Sequence, residues 1–242
     1  MKKMMVYVLC GLLAFGFTAC GDDDENDNKA GSESQEHVDE SSTESLTPAG
    51  QAAVAVDLGL PSGTLWADRN VGADKPEAYG DYFAWGETTP KANYSWTNYK
   101  WAKGSYEVTK YSPSIDNKDE LDPEDDAAQA NWGGKWRMPT RDDIIELINN
   151  TNSQWVVNYN NTGINGYKFT NKSNPSKFIF LPAAGGHDSS PYSVGVEGLY
   201  WSSSLDMDYT SRGDLLGFSE DEIPDWFSQE REEGQTVRPV RK

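Results

Sequence analysis

The chain has 242 residues, with 39 Asp and Glu against 21 Lys and Arg, a formal net charge of −18 and only two cysteines. Such an acid excess excludes nucleic acid and anionic surfaces as general partners, and leaves neutral sugars and proteins open. With two histidines in the whole chain, a histidine-cluster zinc site is excluded as well.

Lys2 and Lys3 precede an apolar run from Met4 to Ala19. The run is shorter than the roughly 20 residues that span a bilayer, and it closes on small residues as a secretory signal does. Residues 1–19 are therefore expected to be removed, and losing Lys2 and Lys3 changes the charge to 19 − 39 = −20. Cys10 lies within that signal and Cys20 at its end, after Phe17-Thr18-Ala19, so the exported part has no disulfide and relies on packing. Cys20 resembles the acylated cysteine of the bacterial lipobox, which makes it the expected lipid-attachment residue. Phe17 departs from the leucine-like residue usual there. Several acyl chains, at about 0.8 kcal/mol per buried methylene, hold a protein stably at a membrane where one does not.

Residues 20–50 read as an acidic tether. Residues 21–50 contain ten acids, one lysine (Lys29) and few aliphatic side chains, too little apolar surface to offset chain entropy, so this segment is predicted to be disordered. Its end-to-end distance is about 30 Å for a coil of that length. Gly21-Asp22-Asp23-Asp24-Glu25 resembles the acidic export signal of Bacteroidetes lipoproteins, implying an outer-membrane lipoprotein displayed on the cell surface. The same run also fits the start of a solvated linker.

All nine tryptophans follow residue 51, and 51–242 is read as a single domain. Ala53 to Gly59 predicts a first strand, closing on the turn Pro61-Ser62-Gly63 before a second short strand at Thr64–Ala67. Tyr82–Gly86 is a further apolar run. From Asn93 to Tyr111 aromatics alternate with polar residues at no clean period, so Trp96, Tyr99 and Trp101 are candidate ligand-stacking side chains in a loop. The other reading packs them as a lid on the core. Asp116 to Asp126 is acidic. Asp122-Pro123-Glu124-Asp125 predicts a helix N-cap and first turn running through Ala127–Ala130. Asp116, Asp119 and Glu120 are the alternative here, a calcium site built from hard oxygen ligands, although the spacing fits no EF-hand loop.

Asn131-Trp132-Gly133-Gly134-Lys135-Trp136-Arg137-Met138-Pro139-Thr140 reads as a tight aromatic corner, with glycines supplying positive φ beside two large rings. Thr140-Arg141-Asp142-Asp143 is a capping box, and Ile144, Ile145, Leu147 and Ile148 form one helical face that ends at Asn149-Asn150. Trp155–Val157, Tyr167–Thr170 and Phe178–Leu181 predict strands, the last two as a hairpin. Leu199–Leu205, Leu215–Phe218 and Thr236–Val240 predict the closing strands. Two helices among many short strands make the fold class α+β with a mostly antiparallel sheet.

Four pieces occur in order: Val56-Asp57-Leu58-Gly59-Leu60-Pro61-Ser62-Gly63-Thr64-Leu65-Trp66-Ala67, Trp136–Thr140, Tyr200-Trp201-Ser202-Ser203-Ser204, and Val237-Arg238-Pro239-Val240-Arg241. Together they resemble the Fibrobacter succinogenes major paralogous domain family of Bacteroidetes surface lipoproteins, and through it the C-type-lectin-like superfamily. The resemblance implies a twisted antiparallel sheet flanked by two helices with long loops. The superfamily's formylglycine-generating branch works through copper-binding cysteines, which this domain lacks, so that activity does not transfer.

His187 is the domain's one histidine, set in a glycine-rich loop, and a serine triad would depend on it entirely. Carboxylate pairs for glycoside hydrolysis are too abundant here to single any out. Trp136 and Trp201 sit in the family motifs and are expected in the core. The sequence therefore predicts a lipid-anchored, lectin-like module that binds an extracellular carbohydrate or glycoprotein without a cofactor. A structural role in a surface assembly is the second reading, and a polysaccharide hydrolase the third.

Overall fold

The computed structural model describes residues 45–242; Cys20, the signal and nearly all of the tether lie outside them. In chain order the elements are α1 (Pro48–Ala52), β1 (Ala55–Val56), β2 (Leu65–Ala67), α2 (Ala127–Trp132), α3 (Arg141–Asn150), β3 (Thr151–Val156), β4 (Gly166–Asn171) and β5 (Phe178–Pro182). They continue with β6 (Gly186–His187), β7 (Pro191–Tyr192), β8 (Glu197–Leu205), β9 (Arg212–Ser219), β10 (Asp225–Glu230) and β11 (Val240–Arg241). The fold is mixed α+β, with antiparallel sheets ordered β1-β2-β11, β10-β9-β8, β3-β4-β5 and β6-β7. No helix among the described residues is long and apolar enough to cross a membrane.

The folded body begins ahead of the expected boundary at Gln51. Thr47 caps α1, accepting from the Gly50 amide at 3.2 Å and donating to the Asn131 carbonyl at 2.8 Å. Leu46 bridges Gly133 and packs on the core. Composition could not place this join, because Thr47-Pro48-Ala49-Gly50 carries no aromatic signal.

The aromatic corner forms as its residues require. Gly133 and Gly134 take φ of 68° and 60°, and the rings of Trp132 and Trp136 meet edge-on at 5.2 Å. A Cβ on Gly133 would lie 2.4 Å from the Ser45 carbonyl oxygen, so the glycine is needed for space as well as for φ. The helix before the corner starts later than predicted. Pro123–Asp125 is only a 3-10 turn, and the cap of α2 is Asp126, whose Oδ1 accepts from the amides of Ala128 and Gln129. Its other oxygen accepts from the Met138 amide at 2.8 Å, holding α2 to the corner.

α3 has the predicted capping box. Thr140 Oγ1 accepts from the Asp143 amide at 3.2 Å, and the Thr140 amide donates to Asp143 Oδ2 at 3.0 Å. Asp143 also takes the Thr64 hydroxyl at 3.1 Å and Arg137 Nη1 at 2.7 Å, so one carboxylate ties together two of the sequence motifs. Ile144 and Leu147 are fully buried below it.

β8 and β9 are apolar on both faces. Leu199, Trp201 and Leu215 face a core with Trp85, Trp132, Trp136 and Val237, whereas Tyr200, Leu216 and Phe218 face a second core with Trp66, Ile144, Leu147, Phe169 and Val240. This ladder is therefore the wall between two cores, the pattern expected when a strand is buried on both sides. Between Trp201 and Leu205 its register shifts, and Ser203 turns away to accept from Leu121 and donate to the Pro139 carbonyl, both across the motif junction. The expected single sheet is instead four smaller ones among the described residues. The predicted strand Thr236–Val240 shortens to β11, because Gln235 and Thr236 make lone bridges to Phe83 and Tyr200 and Pro239 has no amide to donate.

Candidate functional site

The aromatics singled out in the 93–111 loop are a lid. Trp96 and Tyr99 are 7% and 4% exposed and pack edge-on at 5.6 Å, and the Tyr99 hydroxyl donates to the Trp85 carbonyl at 2.7 Å. Half-buried Trp101 donates its indole N–H to the Gly86 carbonyl, with the ammonium groups of Lys100 and Lys110 lying 4.2 and 4.9 Å from its ring centroid. Trp96 and Tyr99 offer no open face for a sugar, and the aperiodic spacing that suggested a loop says nothing of what the loop covers.

The acidic stretch is likewise occupied internally. Asp116 accepts from the amides of Tyr111, Ser112 and Lys118, knotting its own loop. The Asp119 carbonyl accepts from the Leu205 amide, and Glu120 Oε1 accepts from the Ser204 hydroxyl at 3.3 Å. No three His, Cys, Asp or Glu side chains converge to hold a metal ion among the described residues. Lys110 and Lys118 hold the Asp122 carboxyl near 2, well below its usual value, at contacts of 2.7 and 2.6 Å. His187 lies against Tyr82 and Tyr94, with ring centroids at 5.5 and 5.1 Å. The nearby Ser189 hydroxyl donates to Asp188 rather than to His187.

Trp136 and Trp201 are fully buried, as expected. Their indole N–H groups donate to the carbonyls of Gly50 at 3.1 Å and Phe83 at 2.7 Å. The four sequence motifs meet in space: Arg137 bridges Val240, Val240 pairs with Trp66, and Trp201 N donates to the Thr236 carbonyl. These residues hold the fold.

Concave places with polar lining remain, among them one lined by Glu87, Thr88, Thr89, Lys91, Asn98 and Lys100, whose two ammonium groups are held by Glu87 and Asp125. A cavity of about 150 Å³ at the start of α3 is lined by Asp119, Glu120, Arg141, Asp142, Ser204, Leu205 and Met207. Its cation is already committed, since Arg141 Nε lies 2.5 Å from Asp214, whose carboxyl burial nevertheless pushes up to about 6.

A third lies on the outer face of the β3-β4-β5 sheet, with a volume of about 460 Å³, lined by Asn152, Ser153, Gln154, Lys168, Thr170 and Pro175. Strand register builds it. Asn152, Thr170 and Phe178 form one row across the three strands, and Gln154, Lys168 and Phe180 the next. Side chains two residues apart share a face, so amides, a hydroxyl and an ammonium point outward together while Phe169 and Ile179 go to the core. Phe180, at the end of its row, is buried, with Tyr159 stacked on it at 3.9 Å. The side chains of Asn152, Gln154, Lys168 and Thr170 have no hydrogen-bond partner among the described residues, which leaves their polar groups available to a ligand.

Sequence reasoning passed over this face, yet a signal was present. Between Glu146 and Asp188 there is no acidic residue, in a chain with 39 of them, while asparagines crowd the segment. Comparisons with protein-family models, with curated proteins and with solved structures find no match to this chain.

Proposed function

We propose that this chain is a lipid-anchored recognition module, acylated at Cys20 and displayed on the outer membrane, that binds an extracellular carbohydrate or glycoprotein. The ligand lies in the amide-lined groove over β3, β4 and β5. One observation carries this reading: a concave surface whose hydrogen-bonding side chains are unused, set in the acid-free part of an acidic chain. Planar amides both donate and accept, which suits the paired donor and acceptor character of vicinal sugar hydroxyls. The lectin-like fold assignment is supported by the meeting of the four motif pieces and by the two helices, α2 and α3, beside antiparallel strands.

The test uses intact cells making the full chain. They should bind labelled oligosaccharides from a glycan panel, and lose that binding after surface protease treatment. A double variant, Asn152→Ala with Gln154→Ala, should weaken binding by about tenfold or more, the loss of two hydrogen bonds at about 1 kcal/mol each. Binding to the panel that ignores the double variant would remove the groove from consideration, and protease-resistant binding would remove surface display.

A second reading, assembly with another surface protein, rests on the β10 edge. Among the described residues that strand pairs only with β9, and its Trp226 and Phe227 stay 42% and 41% exposed. Silence across the panel together with co-purification of a partner through β10 would favour it.

A further inference from the structure

We infer that the ligand of the β3-β4-β5 groove carries an anionic group, a carboxylate or sulfate on a sugar, and that Lys168 receives it. The inference rests on the carbohydrate reading above and adds the charge class of the ligand.

The first observation is local charge. From Leu147 to His187 there are three lysines, Lys168, Lys172 and Lys177, and no carboxylate side chain, against −18 for the chain as a whole. Exposed charges are screened over about 8 Å at physiological ionic strength, so a ligand in the groove responds most to the charges of this face, where Asp57 is already paired with Lys177.

The second is how the lysines are used. Lys177 is paired with Asp57 at 2.8 Å, and Lys172 donates to the Asn149 carbonyl at 2.7 Å. Elsewhere Lys91, Lys100, Lys110 and Lys118 each hold a carboxylate. Lys168 lines the groove and has no ion pair among the described residues. In an acid-rich chain a lysine kept clear of carboxylates retains its full attraction for an outside anion.

The third is placement. Lys168 Nζ sits 3.9 Å from the centroid of the Phe178 ring, across the strand pair, so the ammonium is held rather than sweeping through solvent. Cation–π contact of this kind is worth about 0.5–1 kcal/mol at exposed sites. Gln154 stands opposite Lys168 in the register, and Asn152 opposite Thr170. An acidic sugar thus meets a fixed point charge with amide and hydroxyl groups beside it for the ring hydroxyls. An ammonium, unlike a guanidinium fork, sets no bidentate geometry, so carboxylate and sulfate both fit.

The test is calorimetric titration of the full mature chain with three oligosaccharides of equal length: a neutral galactan, a galacturonan and a sulfated galactan. At least one acidic oligomer should bind about tenfold or more tightly than the neutral one, the size of a charge-assisted hydrogen bond, and raising the salt concentration should narrow the gap. Lys168→Gln should erase that preference, while Lys168→Arg should restore part of it. Which acidic oligomer binds distinguishes carboxylate from sulfate. Equal binding of all three, unmoved by Lys168→Gln, overturns the charge inference and leaves the carbohydrate reading standing. Failure of every oligomer to bind overturns both.

Discussion

Arg238 carries a guanidinium into the interior with no carboxylate to meet it. It is fully buried, and burial lowers its pKa to about 10. Its donors go instead to Asn70 Oδ1 at 2.7 Å, the Ala67 carbonyl at 3.0 Å and the Phe180 carbonyl at 2.9 Å. One side chain therefore joins β2, the following turn and β5. Arg238→Met should destabilise the domain by about 3 kcal/mol or more, because three buried acceptors lose their donors at about 1–3 kcal/mol each. Urea unfolding reads this directly, and a midpoint within error of wild type would show the acceptors re-satisfied by other donors. The piece around Arg238 was legible in the sequence as one of the four that carry the family resemblance. Its burial was not, because nothing in residue order says that a charged side chain will find three carbonyls. The same gap explains Trp96 and Tyr99: side-chain chemistry suited a binding platform, and only tertiary packing decided otherwise.

At the scale of elements, α3 was the most legible piece, since its cap, its apolar stripe and its stop are all local signals. What the sequence hid is that its capping residue also serves other strands. Thr140→Ala should cost about 1 kcal/mol, the usual loss of a side-chain cap. Asp143→Ala should cost about 2–3 kcal/mol, because Thr64 and Arg137 lose the same carboxylate. Equal losses in chemical denaturation would mean that Asp143 acts only within its own helix. β10 was missed altogether: Asp225-Trp226-Phe227-Ser228-Gln229-Glu230 shows no alternation because both of its faces are partly open. By contrast the hairpin of β4 and β5 formed where its apolar runs and polar loop placed it.

For the molecule as a whole, burial raises six carboxyls among the described residues: Asp81, Glu120 and Glu233 above the usual carboxylate value, Asp126 and Asp214 to about 6, and Glu232 to about 7, the last with help from the charges of Glu233 and Glu230. A raised carboxyl binds its proton more tightly in the folded state. Its contribution is complete below the unfolded value and lost as pH rises through the folded one. Asp122 works oppositely, losing its stabilisation only as pH falls towards 2. The melting temperature should therefore rise as pH is lowered from about 8 to 5. Glu232→Gln should raise it at pH 8 and flatten the profile; a wild-type domain that melts lower at pH 5 than at 8 contradicts this account. Whole-chain charge was legible at once, but a single total averages away its distribution. The acid-free run from Leu147 to His187 was there to read and vanished into the sum.

The three-stranded sheet β1-β2-β11 has a consequence in time. Trp66 pairs with Val56 on one side and Val240 on the other, so a central strand waits for a neighbour made much later in the chain. Contacts so far apart in the chain are slow to close. A polypeptide still emerging from the ribosome lacks that stitch, and the sheet stays open until Val240 has been made.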